Sequence, residues 1–382
     1  MNNKYILKEY KENVVNYKYK GIDNSIYYRY IMSPFCEYIT SYFPKWLAPN
    51  LITTFDFFLN FLYFSIIIYY TKFELNKEVP SWVCFYTIIL YNIYMVLDNC
   101  DGKQAKRTNS GSPLGLIFDH GVDSCVTFFI TIAICHLCYL QNWYNCLFLW
   151  FTITSTFYLN TWEEYITGVL NLPIIHGVSE GTFIIDLIFI ISGLYGKNFY
   201  SYQLTFINKK LFVSDCFSVL TILGGIIYGL ISIINVKKYL NSKKRNSNII
   251  NDLGIYFLLL GSFIFINIFN NSKLINNFST FIILTYGLEF SKIVISLQLC
   301  HIQSCQYNPY TFFNLFPIII LCSHTLLNII FKQQFLFDIR YLIYFCFIWN
   351  LISWLHLIYF ATEELCEILN INRFNLKKKL IK

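Results

Sequence analysis

Charge is scarce in this chain. Of its 382 residues only 13% are Asp, Glu, Lys or Arg, while 56% are hydrophobic. That balance, with apolar stretches of about 20 residues recurring throughout, excludes a soluble globular fold and is the pattern of a polytopic helical membrane protein. No removable signal peptide is expected, because no short apolar core near residue 1 ends in a small-residue cleavage site. The first span is expected to act as its own targeting signal. There is no Gly/Ser linker, low-complexity segment or clear internal repeat, so one integral domain is the simplest partition. Thirteen cysteines are present, but Cys135-His136-Leu137-Cys138 and Cys300-His301 each lack the second pair that a zinc finger needs. The thiols fall mostly in apolar spans, where a small, soft side chain packs well, and are expected to be free. No nucleic-acid partner is indicated.

What the chain does contain is a series of ten apolar segments, at about 47–71, 82–100, 113–137, 144–168, 178–196, 214–235, 250–270, 279–300, 310–331 and 340–361, each long enough to cross a bilayer as a helix. The expected fold is therefore all-α, an integral membrane protein with about ten transmembrane helices. Residues 1–46, with Tyr and Lys interspersed, read as a cytosolic N-terminal segment partly lying as an interfacial helix. Residues 47–361 form the membrane domain and 362–382 a basic cytosolic tail. An even number of spans puts both termini on one side. If that side is cytosolic, its segments hold 20 Lys and Arg against eight in the opposite loops, and this bias supports the assignment.

Inside this apolar frame stand four aspartates in one short window: Asp98, Asp101, Asp119 and Asp123. An ionised carboxylate in hydrocarbon costs on the order of a few kcal/mol, so four together need compensating charge, most simply divalent cations. Asp98 and Asp101 are three apart and Asp119 and Asp123 four apart, so on two helices each pair projects from one face. Two facing helices would turn four hard oxygen ligands toward one cavity, which suits two Mg²⁺ or Mn²⁺ ions about 3.5–4 Å apart holding a diphosphate for displacement. Gly102, Ala105, Gly111 and Gly115 are small where the helices would meet, and let a ligand approach the backbone. Simple pairing of the carboxylates with Lys103, Lys106 and Arg107 would explain the charge balance but not the clustering of small residues.

The spacing D-x2-D-G-x2-A-R-x8-G-x3-D-x3-D is met by Asp98, Asp101, Gly102, Ala105, Gly115, Asp119 and Asp123, and it resembles the signature of the CDP-alcohol phosphotransferases. One position departs: the arginine of the pattern is Lys106, followed by Arg107. Lysine keeps the charge but loses the planar two-pronged donor, so phosphate contact is expected from Lys106 or from Arg107 in its place. YKYKGIDNSIYYRYIMSPF and FPKWLAPNLIT in 17–53, DGKQAKRTNSGSPLGLIFDHGVDS after the first aspartate, and TWEEYITGVL at 161–170 are similar to the eukaryotic choline and ethanolamine branch of that family, so essentially the whole chain is covered.

This resemblance implies transfer of phosphocholine or phosphoethanolamine from CDP-choline or CDP-ethanolamine to diacylglycerol among the membrane lipids, with release of CMP. It also implies an endoplasmic reticulum or Golgi location and a homodimer. His120 sits between two candidate ligands and about 60° round the helix from Asp123. A neutral imidazole suits proton uptake near pH 7, and His120 matches the histidine of the branch's DHG sequence. By the same resemblance Glu180, in HGVSEGTF, supports the histidine, although a helix N-terminal carboxylate favoured by the dipole reads equally well there. Asp123 is a ligand first and a base second. Asn50, in the branch's Pro-Asn pair, either hydrogen-bonds the nucleotide or caps the first span.

Other charges inside spans, Asp56, Asp186, Glu289 and Lys292, are functional candidates by default, and Asp56 has no assigned role. Two alternatives stay open. One is an enzyme using CDP-diacylglycerol, for instance in phosphatidylinositol synthesis, with the same metal site. The other is a cation transporter, which would need neither the spaced small residues nor the basic cluster. Choline against ethanolamine is undecided, because a trimethylammonium cage is aromatic and the chain has 38 Phe, 31 Tyr and 7 Trp.

Overall fold

A backbone threaded through hydrocarbon has no water to bond to, so each apolar run must satisfy its own N–H and C=O groups as a helix. The computed structural model describes residues 5–140, 142–174, 179–206, 209–243, 248–270, 272–331 and 338–376. Twelve α-helices lie among them: α1 (Lys11–Asn16), α2 (Ser33–Tyr42), α3 (Pro49–Thr71), α4 (Ser81–Thr108), α5 (Pro113–Leu137), α6 (Trp143–Thr167), α7 (Ser179–Tyr200), α8 (Val213–Lys243), α9 (Ile249–Phe269), α10 (Ser272–Gln303), α11 (Phe312–Phe331) and α12 (Ile339–Leu369). A short parallel pair joins β1 (Gly21–Asp23) to β2 (Leu170–Leu172), with Gly21 opposite Leu170. An antiparallel pair, β3 (Gln203–Phe206) and β4 (Lys209–Phe212), precedes α8.

Nine of these helices, α3–α5 and α7–α12, are long and apolar enough to span a membrane. The tenth expected span, α6, is 25 residues long, about 37 Å. Its lower hydropathy follows from its bonding to neighbours: Asn145 donates to Asp215 of α8 (2.9 Å), Glu163 accepts from Ser232 of α8 (2.8 Å), and Thr154 shares a proton with Tyr256 of α9 (3.0 Å). These polar groups carried into the membrane have partners on adjacent helices, which lets them be buried. α5 and α10 are the most enclosed of the spans and α8 and α12 among the most lipid-facing. α10 packs on α5, α6, α9 and α12, and α3 packs on both α4 and α5. All thirteen cysteines are free.

Three of the charges expected to be functional serve as pins. Glu289 and Lys292 form a buried ion pair at 2.9 Å, and Lys292 Nζ also donates to the Phe313 carbonyl of α11 (2.9 Å) and to Asn350 of α12 (3.1 Å). Asp186 of α7 accepts from Asn92 of α4 at 2.9 Å. The N-terminal segment docks onto the bundle: the Tyr5 and Ile6 N–H groups donate to Glu364 Oε2 (3.1 and 2.9 Å), and Asn13 donates to the Gln303 carbonyl (2.8 Å). α12 continues past residue 361 to Leu369, so the start of the expected tail is helical. α2 has two faces, with Cys36 and Thr40 buried and Phe35, Tyr38 and Tyr42 exposed.

Candidate metal centre and active site

The turn between α4 and α5 builds the site. Asn109 adopts a left-handed conformation (φ 51°) that stops α4, and its successor Ser110 donates to the Ala105 carbonyl at 2.9 Å, the αL ending typical of helix C-termini. Ser112 then caps α5, accepting from the Gly115 N–H, with Pro113 in the first turn. The two helices leave this turn side by side, and residues one to three turns from it come together.

One carboxylate oxygen each from Asp98 of α4 and Asp119 and Asp123 of α5 lie within 4.8 Å of one another. Asp101 is buried beside them, and its carboxylate accepts from the Thr53 hydroxyl of α3. The four expected ligands therefore divide into three that converge and one anchored to α3. Tyr94 of α4, one turn before Asp98, donates its hydroxyl to Asp123 Oδ1 at 2.9 Å. A set of oxygen-only, anionic donors suits a hard divalent cation such as Mg²⁺ or Mn²⁺. The glycines leave room for it: a Cβ added to Gly102 or Gly111 would meet nothing within 4 Å, and one added to Gly115 would meet only Asn50 Oδ1 at 3.8 Å. These positions border open space rather than a contact between the two helices.

His120 turns away from the turn, toward α6 and α10. Its Nδ1 lies 2.7 Å from Gln298 Nε2, the same amide nitrogen donates to Glu164 Oε2 at 2.8 Å, and His120 Nε2 lies 3.9 Å from that oxygen. An amide nitrogen carries two hydrogens, so Gln298 can bridge the ring and the carboxylate at once. Glu164 also faces His301 Nε2 (3.8 Å), which meets the Tyr17 hydroxyl at 3.0 Å. Glu180, the carboxylate expected beside His120, starts α7 and accepts from the Tyr27 N–H at 3.4 Å. Sequence reasoning missed Thr53, Tyr94, Glu164 and Gln298. For Glu164 a signal existed, since it is an acidic residue inside an expected span.

The basic residues separate as well. Arg107 donates to the carbonyls of Thr40 (2.8 Å), Ser41 (3.0 Å) and Phe43 (2.6 Å), closing the C-terminus of α2, where a cation also complements the helix dipole. Lys103, one turn earlier, reaches Ser33 (2.8 Å) and Glu37 (3.1 Å), and holds the exposed Glu37 carboxyl below the usual carboxylate range. Lys106 is exposed and makes no hydrogen bond or ion pair among the described residues. Of the two expected phosphate contacts, Arg107 is committed to α2. Asn50 does not cap α3, whose N-cap is Ala48. Its side chain donates instead to the Arg373 carbonyl at 2.8 Å.

Residues 46–203 match the CDP-alcohol phosphatidyltransferase family. The chain is 30% identical to choline/ethanolaminephosphotransferase 1 of Arabidopsis thaliana over 309 residues, 75% of this chain and 76% of that protein. It is 32% identical to choline/ethanolaminephosphotransferase 1 of Saccharomyces cerevisiae, over 62% of each chain, and 34% identical to human ethanolaminephosphotransferase 1, over 55% of each. With a membrane-embedded carboxylate centre of the expected spacing, the chain belongs to the CDP-alcohol phosphatidyltransferase family. The matched regions span between about half and three quarters of these relatives.

Proposed function

We propose that this chain transfers phosphocholine, phosphoethanolamine or both from the CDP-alcohol to diacylglycerol, giving phosphatidylcholine or phosphatidylethanolamine and CMP. The observation that carries this reading is the convergence of Asp98, Asp119 and Asp123 in a chain related to choline/ethanolaminephosphotransferases over most of its length. Bound Mg²⁺ or Mn²⁺, two ions in this reading, supplies neutralisation of the donor's diphosphate. Asp98, Asp119 and Asp123 hold the metal, with Asp101 alongside, and Thr53 and Tyr94 fix Asp101 and Asp123 in place.

The diacylglycerol oxygen forms a bond to the phosphorus bearing the amino alcohol while the bond from that phosphorus to the CMP oxygen breaks, and CMP leaves with the electron pair. The hydroxyl proton passes to His120 at Nδ1, the lone pair there being released by the Gln298 amide as the substrate hydroxyl takes its place, while Glu164 faces the Nε2 side of the ring. Glu164 takes the place beside the ring that was expected of Glu180, and Glu180 at the start of α7 accepts from the Tyr27 N–H. Gly102 and Gly115 leave space for the nucleotide, Ala105 and Asn50 border it, and Lys106 contacts phosphate. The membrane domain works as one unit in endoplasmic reticulum or Golgi membranes, as a homodimer with both termini cytosolic and residues 1–46 lying partly along the membrane surface.

Purified protein in lipid nanodiscs is expected to release CMP only when CDP-choline or CDP-ethanolamine, diacylglycerol and Mg²⁺ or Mn²⁺ are all present. CMP released from CDP-diacylglycerol and a free alcohol would overturn the reading, and competition between the two CDP-alcohols ranks them.

The division of the basic pair gives a second expectation. Lys106→Ala should raise the Michaelis constant for the CDP-alcohol more than Arg107→Ala does, whereas Arg107→Ala should lower the melting temperature more, because three helix-end carbonyls lose a charged donor. Lys106→Arg should retain activity. Donor saturation curves and thermal scans of the three variants check this, and a larger donor effect in Arg107→Ala would reverse the assignment.

A further inference from the structure

Asp56 lies on α3, 42 residues before the first aspartate of the motif. It is 0% exposed, and neither carboxylate oxygen accepts a hydrogen bond. Among the described residues it forms no ion pair. A carboxylate removed from water with no donor and no cation is unfavourable in itself, and a native fold retains one only where something else compensates it.

Its place on the helix says what. Thr53, three residues earlier and so on the same face, donates to Asp101. Asp56 therefore stands one turn further along α3 against the same centre, fully buried and with the carboxylates of Asp101, Asp123 and Asp119 among the groups close enough to act on it. Like charges alone would expel it. Beyond it on this face, Asn60 Oδ1 and the Tyr63 hydroxyl are also fully buried and unpartnered, so the polar surface continues along α3 from the carboxylate centre.

We propose that Asp56 is a fifth carboxylate of the metal centre, facing the cations through their bound water. Mg²⁺ and Mn²⁺ keep part of their water when held by few carboxylates. Such water donates to an outer carboxylate, and the cation offsets the repulsion among the five anions. Outer partners of this kind orient the direct ligands and strengthen binding. The inference rests on the metal reading above, and its test separates the two.

Mn²⁺ binding to the full chain in nanodiscs, followed by loss of the free-ion electron paramagnetic resonance signal, is compared for the native protein, Asp56→Asn, Asp56→Glu and Asp119→Asn. Melting temperatures are taken in EDTA. Asp56→Asn should weaken Mn²⁺ binding about tenfold, Asp56→Glu should recover part of it, and the metal-free melting temperature of Asp56→Asn should be equal to or higher than that of the native chain, since a buried like charge is gone. Native Mn²⁺ affinity in Asp56→Asn overturns the fifth carboxylate and leaves the metal reading standing. A lower metal-free melting temperature in that variant makes Asp56 a packing residue and also overturns it. Absence of Mn²⁺ binding by the native chain, or native binding by Asp119→Asn, overturns the metal reading itself.

Discussion

Asp98→Asn, Asp119→Asn and Asp123→Asn should each leave the protein inserted and folded but lower turnover by at least about 100-fold, because a site of so few ligands loses both a charge and a donor with each change. Their oxygens lie within 4.8 Å of one another, so each change removes one of the three converging donors. Asp101→Asn should be comparably damaging, since Asp101 shares the centre, but its amide can still accept from Thr53. Tyr94→Phe removes only the hydroxyl that holds Asp123 and should cost about tenfold. The check is CMP release at saturating Mn²⁺, with size-exclusion profiles to confirm folding. Substantial activity in any two of the aspartate variants would remove the metal assignment.

His120→Ala should lower turnover by about 10²–10⁴-fold while the affinity for the CDP-alcohol stays near native, because donor binding rests on the metal and on Lys106. The residues around the ring grade the response. Glu164→Gln and Gln298→Leu disturb the groups at 2.7–3.9 Å from the imidazole and should each reduce the turnover rate by a smaller factor, with the Michaelis constant for the donor little changed. Glu180→Gln should be milder than Glu164→Gln, since Glu164 is the carboxylate that faces the ring. Rapid-mix measurement of a single turnover alongside nucleotide binding separates the two effects. A fall in donor affinity that tracks the fall in turnover would make His120 a positioning or packing residue.

Much of this centre is legible in the sequence because its spacing is local. Asp98, Asp101, Asp119 and Asp123 lie on two consecutive helices, and a three- or four-residue interval fixes a shared face whatever the rest of the chain does. The spans are legible for a similar reason, since hydrocarbon demands runs of apolar residues. α6 tests the limit of that rule: it is a long bundle helix several of whose polar residues are partnered on α8, α9 and α10, information its own composition does not carry. The partners of His120 are hidden for a different reason, because Gln298 is 178 residues away and only the packing of α10 on α5 and α6 brings it close. Thr53 and Tyr94 are ordinary residues in apolar helices until a carboxylate is found opposite. Arg107 shows that a residue beside a motif position can mislead: its guanidinium is used on the end of α2, a helix whose place no spacing rule predicts.

The most direct measurement follows the phosphorus. CDP-choline or CDP-ethanolamine labelled with ³²P on the phosphorus that bears the amino alcohol is given to the purified chain with diacylglycerol, with Mn²⁺ or with EDTA. The account predicts that the label moves into phospholipid, that unlabelled CMP is released in equal amount, and that EDTA stops both until Mn²⁺ is restored. Label left in water-soluble phosphoalcohol, or transfer undiminished in EDTA, would contradict it.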